Sequence, residues 1–292
     1  MARRMTTEDW IVSSVNYALL AVITLITLYP FYYLIIVSFN SGQDTLLGGI
    51  YFWPRDFTLE NYQAFFSDSK WVKAFGISVL RTVVGGAAGV FFTCLVAYGL
   101  SYKDLLFKKL YFVLVIIAMY FSGGLIPYYV LLRELHLINT FWVYVIPSLL
   151  NIFFLLIAVS FFREIPKELH ESAKIDGAND LSIFFRIIIP VSMPLIATMG
   201  LFIGVGQWNS WLDSAYFVQS ENLRTLTYRM MEIINQSNIS QEAAAFGRGS
   251  SSVTSFSIQV TAMVIAVAPI MCVYPFLQKY FVKGMMLGSV KE

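Results

Sequence analysis

A 292-residue chain that is 58% hydrophobic and 13% charged cannot cover a water-facing surface, because ordinary soluble domains carry about 25% charged residues. It reads as an integral membrane protein, and its formal net charge of +2 gives no ground for a nucleic-acid partner. Cys94 and Cys272 both fall inside apolar stretches, where neither a disulfide nor a metal site is expected.

At the N-terminus, Arg3 and Arg4 precede an apolar run without a small-residue cleavage site. The run is about twice the length of a signal-peptide core, so it reads as a retained anchor. A bilayer core about 30 Å thick takes roughly 20 apolar residues of helix. Six stretches qualify: 11–39, 74–101, 109–131, 138–161, 191–208 and 255–278. Backbone groups in lipid must be satisfied within the segment, which predicts six transmembrane helices in a single all-α domain over 1–292. Pro30, Pro127, Pro147, Pro194, Pro269 and Pro275, with Ser122-Gly123-Gly124, predict kinked or broken spans.

Six spans put both termini on one face. With the N-terminus inside, that face collects Arg3, Arg4, Lys103, Lys108, Lys109, Arg163, Lys167, Lys174, Arg186, Lys279, Lys283 and Lys291. The opposite face holds Arg55, Lys70, Lys73, Arg133, Arg224, Arg229 and Arg248 over much longer loops. The positive-inside bias therefore places both ends in the cytoplasm. Residues 40–73 and 209–254 become outer loops, the second ending in a Gly- and Ser-rich piece at 246–252 that reads either as a mobile probe or as a linker.

Between the fourth and fifth spans, residues 163–190 form one of the most polar runs in the chain. Pro166 suits a first helical turn, and a short amphipathic helix follows with Leu169, Ser172 and Ala173 on one side. Gly177 ends it. Asn179 or Asp180 can cap a second helix whose Ile183, Phe184, Ile187 and Ile188 are expected against either the bilayer or the protein, and Pro190 opens the next span. A helix–turn–helix knob outside the membrane reads as a docking part.

Glu171-Ser172-Ala173, three residues, Gly177, nine residues and Ile187-Ile188-Ile189-Pro190 resembles the EAA loop of ABC-importer permeases, Glu-Ala-Ala-x3-Gly-x9-Ile-x-Leu-Pro. Ser172 replaces the first Ala and Ile189 the Leu, with the spacing kept. The resemblance implies a type I ABC importer permease fold whose 163–190 loop is a coupling helix seated on a separate ATPase. Glu171, Ser172, Ala173, Asp176, Gly177, Ile187 and Pro190 are then the coupling residues. It also implies a second homologous permease, two ATPase copies holding ATP and Mg, an external solute-binding protein, and a bacterial cytoplasmic membrane. From Tyr274 to Lys291 the tail is similar to carbohydrate permeases of the maltose-importer class, closest to a subset for larger or acidic saccharides such as alginate. The cytoplasmic tail is expected at 279–292.

Within the spans the chemistry is sparse. There is no Walker A glycine-lysine run, so ATP hydrolysis must belong to another chain. His136 and His170 read as isolated loop residues, and no enzyme or bound cofactor is expected. Arg81 is the only formal charge well inside a span, which marks either a substrate or partner role or a side chain snorkelling to the outer edge. Asn151 can bond a sugar hydroxyl or a neighbouring helix. Gln207-Trp208-Asn209 closes the fifth span, where sugar-importing relatives usually have a Trp-Asn pair, and Tyr120 is a further path residue. Each of these aromatics also fits packing or the interfacial belt. An ion-driven secondary transporter would need intramembrane carboxylates, which the six stretches lack. A permease for amino acids or another small solute, and a membrane scaffold without an ATPase, are the other readings.

Overall fold

The computed structural model describes residues 7–240 and 253–288. Arg3, Arg4, Arg248, Lys291 and the 246–252 piece lie outside the described residues. Within them the chain is helical, with one isolated antiparallel bridge, Asn40 to Phe57. Helices α1 (Thr7–Ser38), α2 (Gly42–Leu46), α3 (Glu60–Ser67) and α4 (Ser69–Ser101) come first, then α5 (Lys108–Tyr120) and α6 (Leu125–Glu134). After 3-10 turns at Phe141–Tyr144 and Ile146–Ser148 come α7 (Ile152–Glu164), α8 (Lys167–Ile175) and α9 (Asp180–Ile183). A π turn leads into α10 (Ile189–Val191) and α11 (Met193–Asn209), followed by α12 (Leu212–Phe217), α13 (Leu226–Ser240) and α14 (Ser255–Gly288).

Among the described residues, three helices are long and apolar enough to cross a membrane alone: α1, α4 and the Ser255–Val273 part of α14. Three bent pairs bring the number to six. α5 and α6 meet at 116°, the 3-10 segment and α7 at 43°, and the Asp180–Val191 and Met193–Asn209 segments at 83°. The predicted breaks therefore occur, and each has a local cause. Gly124 sits at φ 85° between α5 and α6, a conformation only glycine adopts without cost. Pro147 lies in the 3-10 turn just ahead of the second break. The third follows a π turn over Phe184–Ile188 and passes Pro190, Ser192 and Pro194, where proline removes ladder donors. Pro30, Pro269 and Pro275 break nothing; α1 and α14 continue past them.

The chain divides into two compact units, Met1–Ser69 with Glu232–Ala268, and Lys70–Met231 with Pro269–Glu292. In the first, Arg55 Nε bonds both carboxylate oxygens of Asp44 at 2.9 and 3.1 Å, and Asn61 ties the Ser38 and Asn40 carbonyls at 3.0 and 2.8 Å. These bonds tie down much of the loop after α1.

The second unit carries the candidate site. Its core joins Cys94, Ala97 and Tyr98 of α4 to Leu155, Ala158, Val159 and Phe162 of α7, with Ile183, Phe184, Ile188 and Met199. Close approach to α4 depends on small residues. A Cβ on Gly89 would stand 3.3 Å from the Ser148 carbonyl oxygen and 3.4 Å from Ile203 Cγ2. The backbone oxygen cannot swing aside, so Gly89→Val is expected to cost about 1–3 kcal/mol by overpacking. Thermal unfolding in detergent reads this as a lowered midpoint; an unchanged midpoint contradicts the packing described.

Candidate functional site

The 163–190 loop folds as two arms around a turn. Pro166 stands one place ahead of the expected first turn, as the residue before α8. At the other end Ala178 N donates to Ala173 O at 2.9 Å and Gly177 N to Lys174 O at 3.0 Å, with Gly177 at φ 80°. That bond pair is the Schellman ending, which needs a left-handed residue at this place. Asn179 Oδ1 then accepts from Ser182 N at 2.8 Å and caps the second arm. Of the coupling candidates, Glu171, Ser172, Asp176 and Gly177 are exposed, Ala173 is 8% exposed against the core, Ile187 is half-buried and Pro190 is exposed. Ile183, Phe184 and Ile188 are buried in the protein, not set against lipid.

His170 corrects the reading of an isolated loop residue. It lies on α8, with Nε2 2.7 Å from Tyr98 Oη and 3.0 Å from Tyr102 Oη. The two phenol oxygens are 2.7 Å apart, and Tyr102 donates to Asp180 Oδ1 at 3.0 Å. Burial, and then the Lys174 charge, hold the imidazole pKa below its usual value against the opposite pull of Asp180. Tyr98 and Tyr102 stand four apart, a helical spacing visible in the sequence; their partner across the fold was not.

Arg81 is 2% exposed, so it does not snorkel. Gln207 Oε1 accepts from its Nε at 3.1 Å and its Nη2 at 2.9 Å. Nη1 donates to the Ser210 carbonyl at 3.2 Å and to Asp213 Oδ1 at 3.0 Å, and Nη2 reaches Asp213 Oδ2 at 2.5 Å. The guanidinium carbon lies 4.4 Å from the Tyr144 ring centroid, a cation–π contact. All five N–H groups are directed at protein acceptors, which leaves none for a solute. Sequence reasoning missed Asp213 because it falls five residues beyond the fifth apolar stretch.

Gln207 is equally committed. Its Nε2 donates to Ser148 Oγ at 2.6 Å, so neither end of the amide is open to a sugar. Trp208 is buried, its ring 5.9 Å from that of Phe75, on the wall of an apolar cavity of about 490 Å³. Asn151 caps α7 by accepting from Phe154 N at 3.1 Å, and also lines a cavity of about 250 Å³ beside Arg81 and Asp213. Asn209 is exposed at the end of α11, and Tyr120 is 82% exposed at the end of α5. Arg81, Asn151 and Gln207 thus line one cavity, Trp208 lines another, and Asn209 and Tyr120 lie outside both.

The family described as binding-protein-dependent transport system inner membrane component matches residues 9–287. The chain belongs to that family. Protein LplC of Bacillus subtilis is 39% identical over 91% of this chain and 90% of that one. The polygalacturonan/rhamnogalacturonan transport system permease protein YtcP, also of Bacillus subtilis, is 37% identical over 94% and 96%. Among solved structures, a chain of a bacterial ABC transporter involved in the import of the acidic polysaccharide alginate superposes with a TM-score of 0.85. It is 26% identical over 95% of this chain and 99% of that chain. Membership accounts for the all-helical fold with its membrane-spanning segments, and makes the protein a transport component rather than an enzyme.

Proposed function

We propose that this permease forms one half of an ATP-driven importer that carries an oligo- or polysaccharide, of the acidic kind, across the bacterial cytoplasmic membrane. The observation that carries the reading is the TM-score of 0.85 over 95% of the chain to a subunit of an alginate importer, supported by the identity to YtcP. Residues 9–287 answer to one family pattern, which favours a single permease domain. The basic loops favour cytoplasmic termini and a cytoplasmic 163–190 loop. There, exposed Glu171, Ser172, Asp176 and Gly177 face a partner ATPase, which binds ATP and Mg; Ala173 and Ile187 hold the loop to its own core. A second homologous permease closes the path and a solute-binding protein delivers cargo outside.

Closure of the ATPase pair on ATP draws the two coupling loops together. The loop transmits this to α4 and to the bent helices after Pro190. The motion has a direction only because the ATPases hold the two permease states with different affinity. Asn151, Asn209 and Tyr120 are the path candidates with free surface; Arg81, Gln207 and Trp208 serve the architecture around them.

A permease for amino acids shares everything but the cargo. Reconstituted complexes with the binding protein are expected to hydrolyse ATP at least about fivefold faster with galacturonate or mannuronate oligosaccharides than with neutral maltooligosaccharides. Equal rates with both panels, or stimulation by amino acids alone, refute the acidic saccharide.

A further inference from the structure

We propose that His170 is a positioning residue: by donating Nε2–H to Tyr98 and Tyr102 it latches the coupling loop to the end of α4, so that loop and helix move as one piece. The proposal deepens the coupling-loop reading and rests on it for its functional meaning.

Counting protons in the cluster decides who donates. Asp180, as a carboxylate, only accepts, so the Tyr102 proton is spent on Oδ1 at 3.0 Å. The 2.7 Å contact between the two phenol oxygens then needs the Tyr98 proton. Neither phenol retains a proton for His170, yet Nε2 lies 2.7 and 3.0 Å from both oxygens. Two lone-pair atoms do not approach so closely without a hydrogen between them. The imidazole must supply it, as a proton on Nε2 shared between both oxygens. A neutral ring in that tautomer suffices, in keeping with the pKa held low by burial.

The cluster ties three parts of the chain. Tyr98 belongs to α4 and packs its ring 5.2 Å from that of buried Phe184, Tyr102 follows α4 by one residue, His170 stands on α8, and Asp180 starts the second arm. Lys174 spans the Gly177 turn to Asp180 at 3.3 Å. Apolar burial alone gives α8 little hold, since Ala173 is its only buried residue. A nine-residue helix between Pro166 and Gly177, so thinly packed, needs directional bonds to keep its angle under load.

The test places nitroxides at Lys103→Cys and Glu168→Cys, with Cys94 and Cys272 replaced by alanine, in the assembled complex. Unaltered His170 should give one narrow distance peak that stays in place when Mg and a non-hydrolysable ATP analogue close the ATPases. With His170→Phe the peak should widen at least about twofold and shift on adding the nucleotide. His170→Gln, whose amide nitrogen sits near the Nε2 position and donates, should restore the narrow peak. Tyr98→Phe removes one oxygen without changing packing volume, and should widen the peak even where His170→Phe fails to insert. An unwidened peak in His170→Phe and Tyr98→Phe, or a His170→Gln peak as broad as that of phenylalanine, overturns the latch. If no ATPase co-purifies with the unaltered chain, the coupling reading falls, while the same label pair in nanodiscs still decides the latch.

Discussion

Asp213→Ala is expected to destabilise the permease by about 3–5 kcal/mol, because it leaves a buried guanidinium without its counter-charge. Arg81 is 2% exposed and directs an N–H from each terminal nitrogen at Asp213, the shorter contact being 2.5 Å. Gln207 and the Ser210 carbonyl keep their own bonds to it, but dipoles alone do not balance a full charge in a low-dielectric site. Thermal unfolding in one detergent should show a midpoint lower by on the order of 10 °C. Replacing both partners, Arg81→Met with Asp213→Leu, removes the charge problem and should recover roughly half of the loss. Recovery stays partial because Gln207 Oε1 and the Ser210 carbonyl then lose their donors. A single variant that melts within about 2 °C of the parent would mean that Asp213 does not hold Arg81.

Gly177→Val is the second large effect, and it is read in function. A Cβ at Gly177 meets nothing within 4 Å, yet the residue sits at φ 80°. Strain is therefore the whole of the damage inside this chain, about 1–2 kcal/mol for an L-residue in that region and more for a β-branched one. The Schellman bonds from Gly177 and Ala178 open, and the α8 arm loses its angle to the second arm. Binding-protein-stimulated ATP hydrolysis in reconstituted complexes should fall at least about tenfold, with the amount inserted in the membrane unchanged. Gly177→Asn separates conformation from contact, since asparagine tolerates the left-handed region. Retention of half the activity or more in the Asn variant supports the turn; equal loss in Asn and Val places a partner surface against the glycine instead. Full activity in Gly177→Val refutes both.

Much of this architecture was legible from local signals. Apolar runs near 20 residues located the spans, and Ser122-Gly123-Gly124 with Pro147 and Pro194 located the breaks. Gly177 and Asn179 declared their turn and cap, because backbone conformation there depends on residues two or three places away. Prolines were less decisive: Pro30, Pro269 and Pro275 lie in helices that run on. His170 and Arg81 show the opposite case. A reading along the chain found one isolated and the other either snorkelling or available to cargo, since their partners stand 68 to 72 and 126 to 132 residues away.

Hydrophobic length, charge bias across loops and the spacing from Glu171 to Pro190 depend on near neighbours and on the bilayer, so the amino-acid sequence alone determined a membrane permease with a helix–turn–helix loop at 163–190. The pairing of Arg81 with Asp213 and Gln207, the enclosure of Trp208, and the meeting of His170 with two tyrosines belonged to the tertiary structure. A buried polar group takes whichever acceptor the packed helices bring within 3 Å, and that choice is made only once those helices have met.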